Sequence, residues 1–231
     1  MDATLEKYHL KSSSFFEFLE PGIAQQIKDK VQRKEYTKGE YLFKEKSYSK
    51  GVYIIRKGKV KIFQSSGDGK QRIVYIYKKG DYFGYRPLLA DEPHPVSAVA
   101  MDQVVVSFVN RDLFASLIFR SSQLAKKLLV VLTREFTVWV NKMTVFSQYG
   151  VKARVALSLL ILNRVYQRDD ENDKATNILI NRDDFASFVG TAKETLVRML
   201  RFFKNEKIIT SKGTKINILQ PKALHAFIQE L

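Results

Sequence analysis

The sequence predicts an α+β chain: an antiparallel β half, one long helix, then a half of short helices closed by a β-hairpin. Three observations predict it. Between residues 31 and 109, short runs rich in Val, Ile, Tyr and Phe alternate with polar residues and recur about every ten positions, separated by glycine. From about Asn110 the apolar period lengthens from two to about 3.6, and Asp112–Gln148 holds neither proline nor glycine. Beyond Gly150 the helical period continues in shorter pieces and ends in two short apolar runs around Lys212-Gly213.

The β elements come first. The runs Glu40–Lys44, Val52–Arg56, Lys59–Gln64, Arg72–Tyr77, Val96–Ala100 and Val104–Val109 have strand composition and suit a sandwich or roll. Ser65–Lys70 (SSGDGK) is a hairpin loop, with Asp68-Gly69 supplying residue types that tolerate positive φ.

The region Asp112–Gln148 is next, read as one long helix or a helix with a break. Its apolar residues form two adjacent stripes. One runs Leu124, Leu128, Val131, Val138 and Val145, interrupted by Glu135 and Lys142; the other runs Leu129, Leu132, Phe136, Trp139, Met143 and Phe146. One stripe suffices to cover a helix's own domain. A second suggests another body, and a twofold partner helix is the economical choice. The alternative is a fully buried helix in a monomer. Tyr149-Gly150 marks a boundary, which gives domains at 1–110, 111–149 (long helix and hinge) and 150–231. A helix over Val151–Tyr166 follows, apolar at Val155, Leu159, Leu162 and Tyr166, and then a solvated acidic loop, Arg168–Lys174, to which no function is assigned.

Composition narrows the function. There is no cysteine, which excludes disulfides, thiol nucleophiles and cysteine-ligated zinc or iron–sulfur sites. His9, His94 and His225 lack metal-binding spacing, and no nucleophile–base constellation stands out, so neither an enzyme nor a metal site is expected. The most apolar run, Val155–Leu162, is far short of the roughly 20 residues of a membrane span, and Met1–Leu10 has no apolar core. A cytoplasmic chain is expected, with no membrane partner. The net charge of +15 favours a polyanionic partner, and charge alone leaves nucleic acid and an acidic membrane surface both open.

The motif decides between them. Asn181 can cap a helix over Arg182–Val189, and Gly190 supplies a tight turn. Thr191 and Glu194 have capping-box spacing and open a second helix that buries Leu196, Met199, Leu200 and Phe203. Its opposite face holds Glu194, Val197, Arg198 and Arg201, with Lys193 beside it. Ile208–Ser211 and Lys215–Leu219 then form a wing. This is a winged helix-turn-helix, whose recognition helix presents side chains to the major groove. Arginine donates two bonds to guanine, and a carboxylate accepts from cytosine N4. The DNA-binding candidates are Thr191, Lys193, Glu194, Arg198 and Arg201, with Lys212 on the wing. The bland alternatives are that Glu194 only closes the capping box and that Arg198 sits on a solvated face.

These residues resemble the cyclic-AMP receptor/Fnr (Crp/Fnr) family of bacterial transcription regulators. In the first half the resemblance is carried by KGEYLFKE (Lys38–Glu45), GVYIIRKGKVKIF (Gly51–Phe63), DGKQRIV (Asp68–Val74), KGDYFGYRPLLADEP (Lys79–Pro93) and VSAVA (Val96–Ala100). In the second it is carried by FASFVGTAKETLVRML (Phe185–Leu200) and KNEKIIT (Lys204–Thr210). It implies an eight-stranded, cyclic-nucleotide-binding-like β-roll, a dimerisation helix and a homodimer on a near-palindromic DNA operator, with RNA polymerase a further candidate partner. The family's base-reading set falls on Lys193, Glu194 and Arg198, and implies a core resembling TGTGA or its TGA portion. The family usually has arginine where Lys193 stands; lysine lacks the bidentate fork, which weakens the specificity expected there.

The effector side departs from the family. Nucleotide-binding members carry FGE and, about ten residues on, an Arg-Ser pair; here those positions hold Tyr85, His94 and Pro95. The candidate pocket is Tyr85, Arg86, His94 and Ser97. Ordinary cyclic-AMP binding is not expected, no cofactor is assigned, and the effector is unknown. The alternatives are a cyclic-nucleotide-responsive regulator with a rearranged pocket, or haem held through His94.

Overall fold

A computed structural model describes residues 3–9, 15–167 and 176–229. The acidic loop Arg168–Lys174 lies outside them. The chain divides into two compact units, one formed by Lys11–Glu135 and the other by Met1–Leu10 with Phe136–Leu231.

The first unit opens with a 3-10 turn at Phe15–Phe18 and a short helix over Pro21–Ile27, preceded in the chain by α1, Ala3–Glu6, so that this helix is α2. Eight strands follow: β1 (Gln32–Tyr36), β2 (Tyr41–Phe43), β3 (Gly51–Lys57), β4 (Val60–Ser65), β5 (Gln71–Tyr77), β6 (Tyr82–Phe83), β7 (Ser97–Ala100) and β8 (Val104–Asn110). They form two four-stranded antiparallel sheets, ordered β1-β8-β3-β6 and β2-β7-β4-β5. The six expected strands are there to within a residue or two. Sequence reading missed β1 because QRKEY is mostly polar and exposed; it is an edge strand, and edges are kept polar against chain-to-chain pairing. It also missed β6, two residues long. In the 66–70 loop only Gly69 takes positive φ (+78°), while Asp68 accepts bonds from Ser66 Oγ and Lys70 N–H.

A short helix, α3 (Tyr85–Ala90), leaves the roll after Gly84, whose φ is +89° and whose hypothetical Cβ would stand 3.0 Å from Gly51 O. The long helical region breaks once. Helix α4 (Arg111–Arg120) ends at Ser121, extended at φ −128°, and α5 runs over Ser122–Gln148. The break has a local cause: Ser121 Oγ accepts from Leu124 N–H, capping α5, and donates to Glu20 Oε2 at 2.7 Å. Leu124 and Leu128 join Phe15, Val52, Ile54, Tyr85, Val109 and Phe114 in the core of this unit.

The two stripes of α5 have different fates. Leu124, Leu128, Val138 and Val145 are buried, and so are the polar interruptions Glu135 and Lys142. On the other stripe Leu129, Phe136 and Met143 are 65–70% exposed. In the second unit α6 (Val151–Tyr166) is buried almost continuously from Val155 to Leu162, wider than the single face expected, because three helices pack on it: α7 (Arg182–Val189), α8 (Lys193–Asn205) and α9 (Pro221–Gln229). A three-stranded sheet, β10 (Ile209–Lys212), β11 (Lys215–Ile218) and β9 (Ile178–Leu179), completes it.

Candidate nucleic-acid interface

The interface is built around α7 and α8. Asn181 caps α7 as expected: its side chain accepts from Asp184 N–H at 2.7 Å, and its amide donates to the Asp184 carboxylate at 2.8 Å. The helix stops at Gly190, φ +71°, where a Cβ would stand 3.2 Å from the Phe146 ring. Left-handed backbone and tight packing together call for glycine.

The turn corrects one expectation. Thr191 does not cap α8. Its N–H joins that of Gly190 on the Ala186 carbonyl, so it is spent on ending α7. The capping position falls one residue later, on Ala192, which has no side chain to bond with, and the Ala192 carbonyl accepts the first helical bond from Leu196 N–H. Glu194 therefore closes no capping box.

The buried side of α8 holds Leu196, Leu200 and Phe203, with Met199 partly covered. Phe202 and Phe203 meet Phe227 of α9 edge-on, which fixes the helix against its unit. Pointing the other way, Lys193, Glu194, Val197, Arg198 and Arg201 are exposed. The side chains of Glu194, Arg198 and Arg201 enter no hydrogen bond or ion pair among the described residues, whereas Lys193 pairs with Asp183 of α7 at 2.9 Å. On the wing, β10 and β11 close through Gly213-Thr214, with Lys212 paired to Lys215 in the ladder. Lys212 thus sits on the strand end rather than in the turn, still exposed.

Two arginines that sequence reading passed over hold these pieces. Arg154 of α6 donates to the Gly190 carbonyl at 3.0 Å, pinning the turn. Arg182 donates to Ser211 Oγ at 2.6 Å and to the Gly213 carbonyl at 2.8 Å, tying the first helix of the motif to the wing. Burial lowers its guanidinium pKa from the usual value. Nothing in local spacing signals either contact, because the partners lie 29–36 residues away.

The candidate effector residues have separate surroundings. Tyr85 is buried beside Tyr82, and burial, then the nearby Glu135 carboxylate, raises its pKa well above the ordinary value. Arg86 is exposed. His94 is buried and stacked on Phe43 with ring centroids 3.7 Å apart; burial pulls its pKa down to about 4, so the ring is neutral. Ser97 Oγ accepts from Glu45 N–H. Glu135, seen in the sequence only as a gap in a stripe, is buried in this unit with its pKa raised by desolvation against the opposing pull of Arg86 and Tyr85. Its Oε2 and the Tyr85 hydroxyl couple electrostatically, yet neither completes a well-formed hydrogen bond among the described residues.

Comparison with known proteins matches both halves. Residues 33–121 fit the cyclic nucleotide-binding domain and residues 153–227 the Crp-like helix-turn-helix domain. The chain is 26% identical to the transcriptional activator protein Anr of Pseudomonas protegens, over 82% of this chain and 77% of that protein. It is 25% identical to the CRP-like cAMP-activated global transcriptional regulator of Mycobacterium tuberculosis, over 93% of this chain and 96% of that one. Among solved structures, FixK2 from Bradyrhizobium japonicum superposes with a TM-score of 0.76 at 22% identity, covering 85% of this chain and 96% of its own. With both domains matched in series and relatives that are regulators of transcription, the chain belongs to the Crp/Fnr family and is a transcription regulator with a helix-turn-helix DNA-binding domain.

Proposed function

We propose that the protein acts in the cytoplasm as a homodimeric regulator that reads a near-palindromic operator through α8 and answers to a signal other than ordinary cyclic AMP. The observation that carries the reading is the outward face of α8. Glu194 and Arg198 stand four residues apart, exposed and unengaged, on a helix whose back is fixed by Leu196, Leu200 and Phe203. Arg198 reads a guanine, Glu194 a cytosine, and Lys193 a neighbouring base. Arg201, Thr191 and Lys212 contact phosphates, and eight basic against two acidic residues between Lys193 and Lys222 give the electrostatic footprint. The exposed apolar stripe Leu129, Phe136 and Met143 supports a twofold partner. The division of labour is a sensor over 1–110, a dimerisation helix and hinge over 111–149 and a DNA-binding domain over 150–231. The activator role of Anr, by its name, supports RNA polymerase as a partner.

On the effector side, neutral, stacked His94 stands where the family's nucleotide binders have a charged fork, which supports a pocket unsuited to a cyclic phosphate. A second reading, a rearranged cyclic-nucleotide pocket, draws on the cAMP-activated M. tuberculosis relative. Selection from randomised duplex DNA tests the main reading: twofold-related half-sites with a TGA-like core are expected, and recovery of no shared sequence would overturn it. Sedimentation at micromolar concentration should give a dimer; a monomer would remove the twofold site.

A further inference from the structure

The two acidic residues in the first turn of α7 have different tasks. Asp184 serves the helix, closing onto the Asn181 cap through its backbone and carboxylate. Asp183 takes no part in that cap. Its carboxylate oxygens stand 2.9 and 3.0 Å from Lys193 Nζ, bridging the helix-turn-helix turn to the first residue of α8. The pair is open to solvent, with the Asp183 side chain 72% exposed, and exposed pairs of this kind contribute little to folding. A carboxylate on a surface that meets phosphates also opposes binding. Its placement therefore calls for a reason other than stability.

We propose that Asp183 is a specificity-determining residue that holds the Lys193 ammonium for base readout and withholds it from the phosphate backbone. The inference rests on α8 being the base-reading helix. Lysine is a compact charge on a flexible stem without a fork; unrestrained, it settles on whichever phosphate is nearest, which adds affinity without sequence information. Paired with two oxygens of Asp183, the ammonium has part of its pull on phosphate offset by the neighbouring carboxylate and is biased towards the turn between α7 and α8. It still has a donor to offer, since an ammonium carries three, and guanine presents O6 and N7 as acceptors in the major groove. Asp183 thereby gives Lys193 the directionality that an arginine would carry in its own planar group. Arg198 and Arg201 need no such support and have none.

The test uses the full-length protein with the selected operator, single-base variants of it and a random duplex. Asp183→Asn leaves the Asn181–Asp184 cap in place, and circular dichroism confirms that each variant folds. Asp183→Asn should bind random duplex several-fold more tightly and steepen its salt slope by up to about two units per dimer. It should also reduce discrimination at one base pair by about five-fold or more, the lower end expected of one base contact. Asp183→Glu should restore part of that discrimination. In a Lys193→Ala background Asp183→Asn should leave discrimination unchanged, and should only raise affinity for all duplexes alike through loss of a repelling carboxylate. An unchanged base preference in Asp183→Asn, or the same loss of discrimination with Lys193 absent, would overturn the proposal. Failure of the underlying reading looks different: Arg198→Ala would then lower operator and random affinities alike, whatever Asp183 does.

Discussion

The outward face of α8 and the region around Tyr85 and His94 teach opposite lessons about one chain. Both fall where the resemblance to the family leads one to expect ligand-reading residues. On α8 the chain keeps glutamate and arginine, leaves them exposed and gives them no partner within the described residues. In the roll it has tyrosine and histidine where the resemblance expects charged groups and proline where it expects serine, and it packs the two rings into the interior, Tyr85 against Tyr82 and His94 against Phe43. Polar groups left in water at full charge are available to a polyanion. Groups stacked in a core have already spent their contact surface on the protein, and burying a charge among them is costly. One region is prepared to bind, the other is prepared to pack.

The largest expected effect on DNA binding falls on the exposed side. Arg198→Ala should weaken operator binding by roughly 30-fold or more, since a bidentate arginine–guanine contact is worth about 1–3 kcal/mol and a dimer loses two. Random duplex should be much less affected. Lys212→Ala, on the wing, should weaken all sequences alike and make the salt slope shallower by about one to two units per dimer. Equal losses from Arg198→Ala on both duplexes would erase the contrast on which the comparison rests.

The packed side is broken by restoring the family's charge. His94→Arg puts a guanidinium into a position only 2% exposed and against an aromatic ring. An uncompensated buried charge of this kind costs about 3–5 kcal/mol, read as a lowered thermal midpoint. Recovery of cyclic-AMP binding without loss of stability would show instead that the interior retains a nucleotide-shaped space.

The next effect separates the two compact units through one stripe of α5. Burial lowers the Lys142 pKa to about 7 and raises that of Glu135. Between pH 7 and the ordinary lysine range near 10.5, the unfolded chain holds the Lys142 proton that the folded one releases, so this residue's contribution improves as pH rises and is lost as pH falls through about 7. Glu135 runs the other way. Its contribution is intact below the ordinary carboxyl pKa of 4.5 and is lost as pH rises through the higher folded value. Any effect of Lys142→Met on stability should be most favourable near pH 7 and become less favourable towards pH 10. Glu135→Gln should stabilise at pH 8 and do little at pH 4. Denaturant melts across pH read both, and parallel slopes for the two variants would contradict the burial of one of them.

The smallest expected signal is none. Calorimetry with cyclic AMP or cyclic GMP at physiological concentration should show no specific heat, and micromolar binding that tightens DNA affinity would favour the rearranged pocket.

Much of this was written in local spacing. The six apolar strand runs, the change of period at Asn110, the glycine at 190 and the polar face of α8 all follow from residues within a few positions of one another, where backbone geometry and side-chain period act directly. Those signals determined the element types, the order of the halves and the set of side chains on the outward face of α8. Tertiary structure decided the rest. It chose which stripe of α5 is covered: the buried one is the stripe interrupted by Glu135 and Lys142, so apolar content alone would have pointed to the other. It moved the cap of α8 from Thr191 to Ala192, because Thr191's N–H is drawn to the end of α7. It brought Arg154 to the turn, Arg182 to the wing and Asp183 to Lys193, contacts of 10 to 36 residues' separation that depend on the angle between helices and leave no trace in periodicity. Composition and period say what a segment can become; only the packed fold says which of its polar groups are already taken.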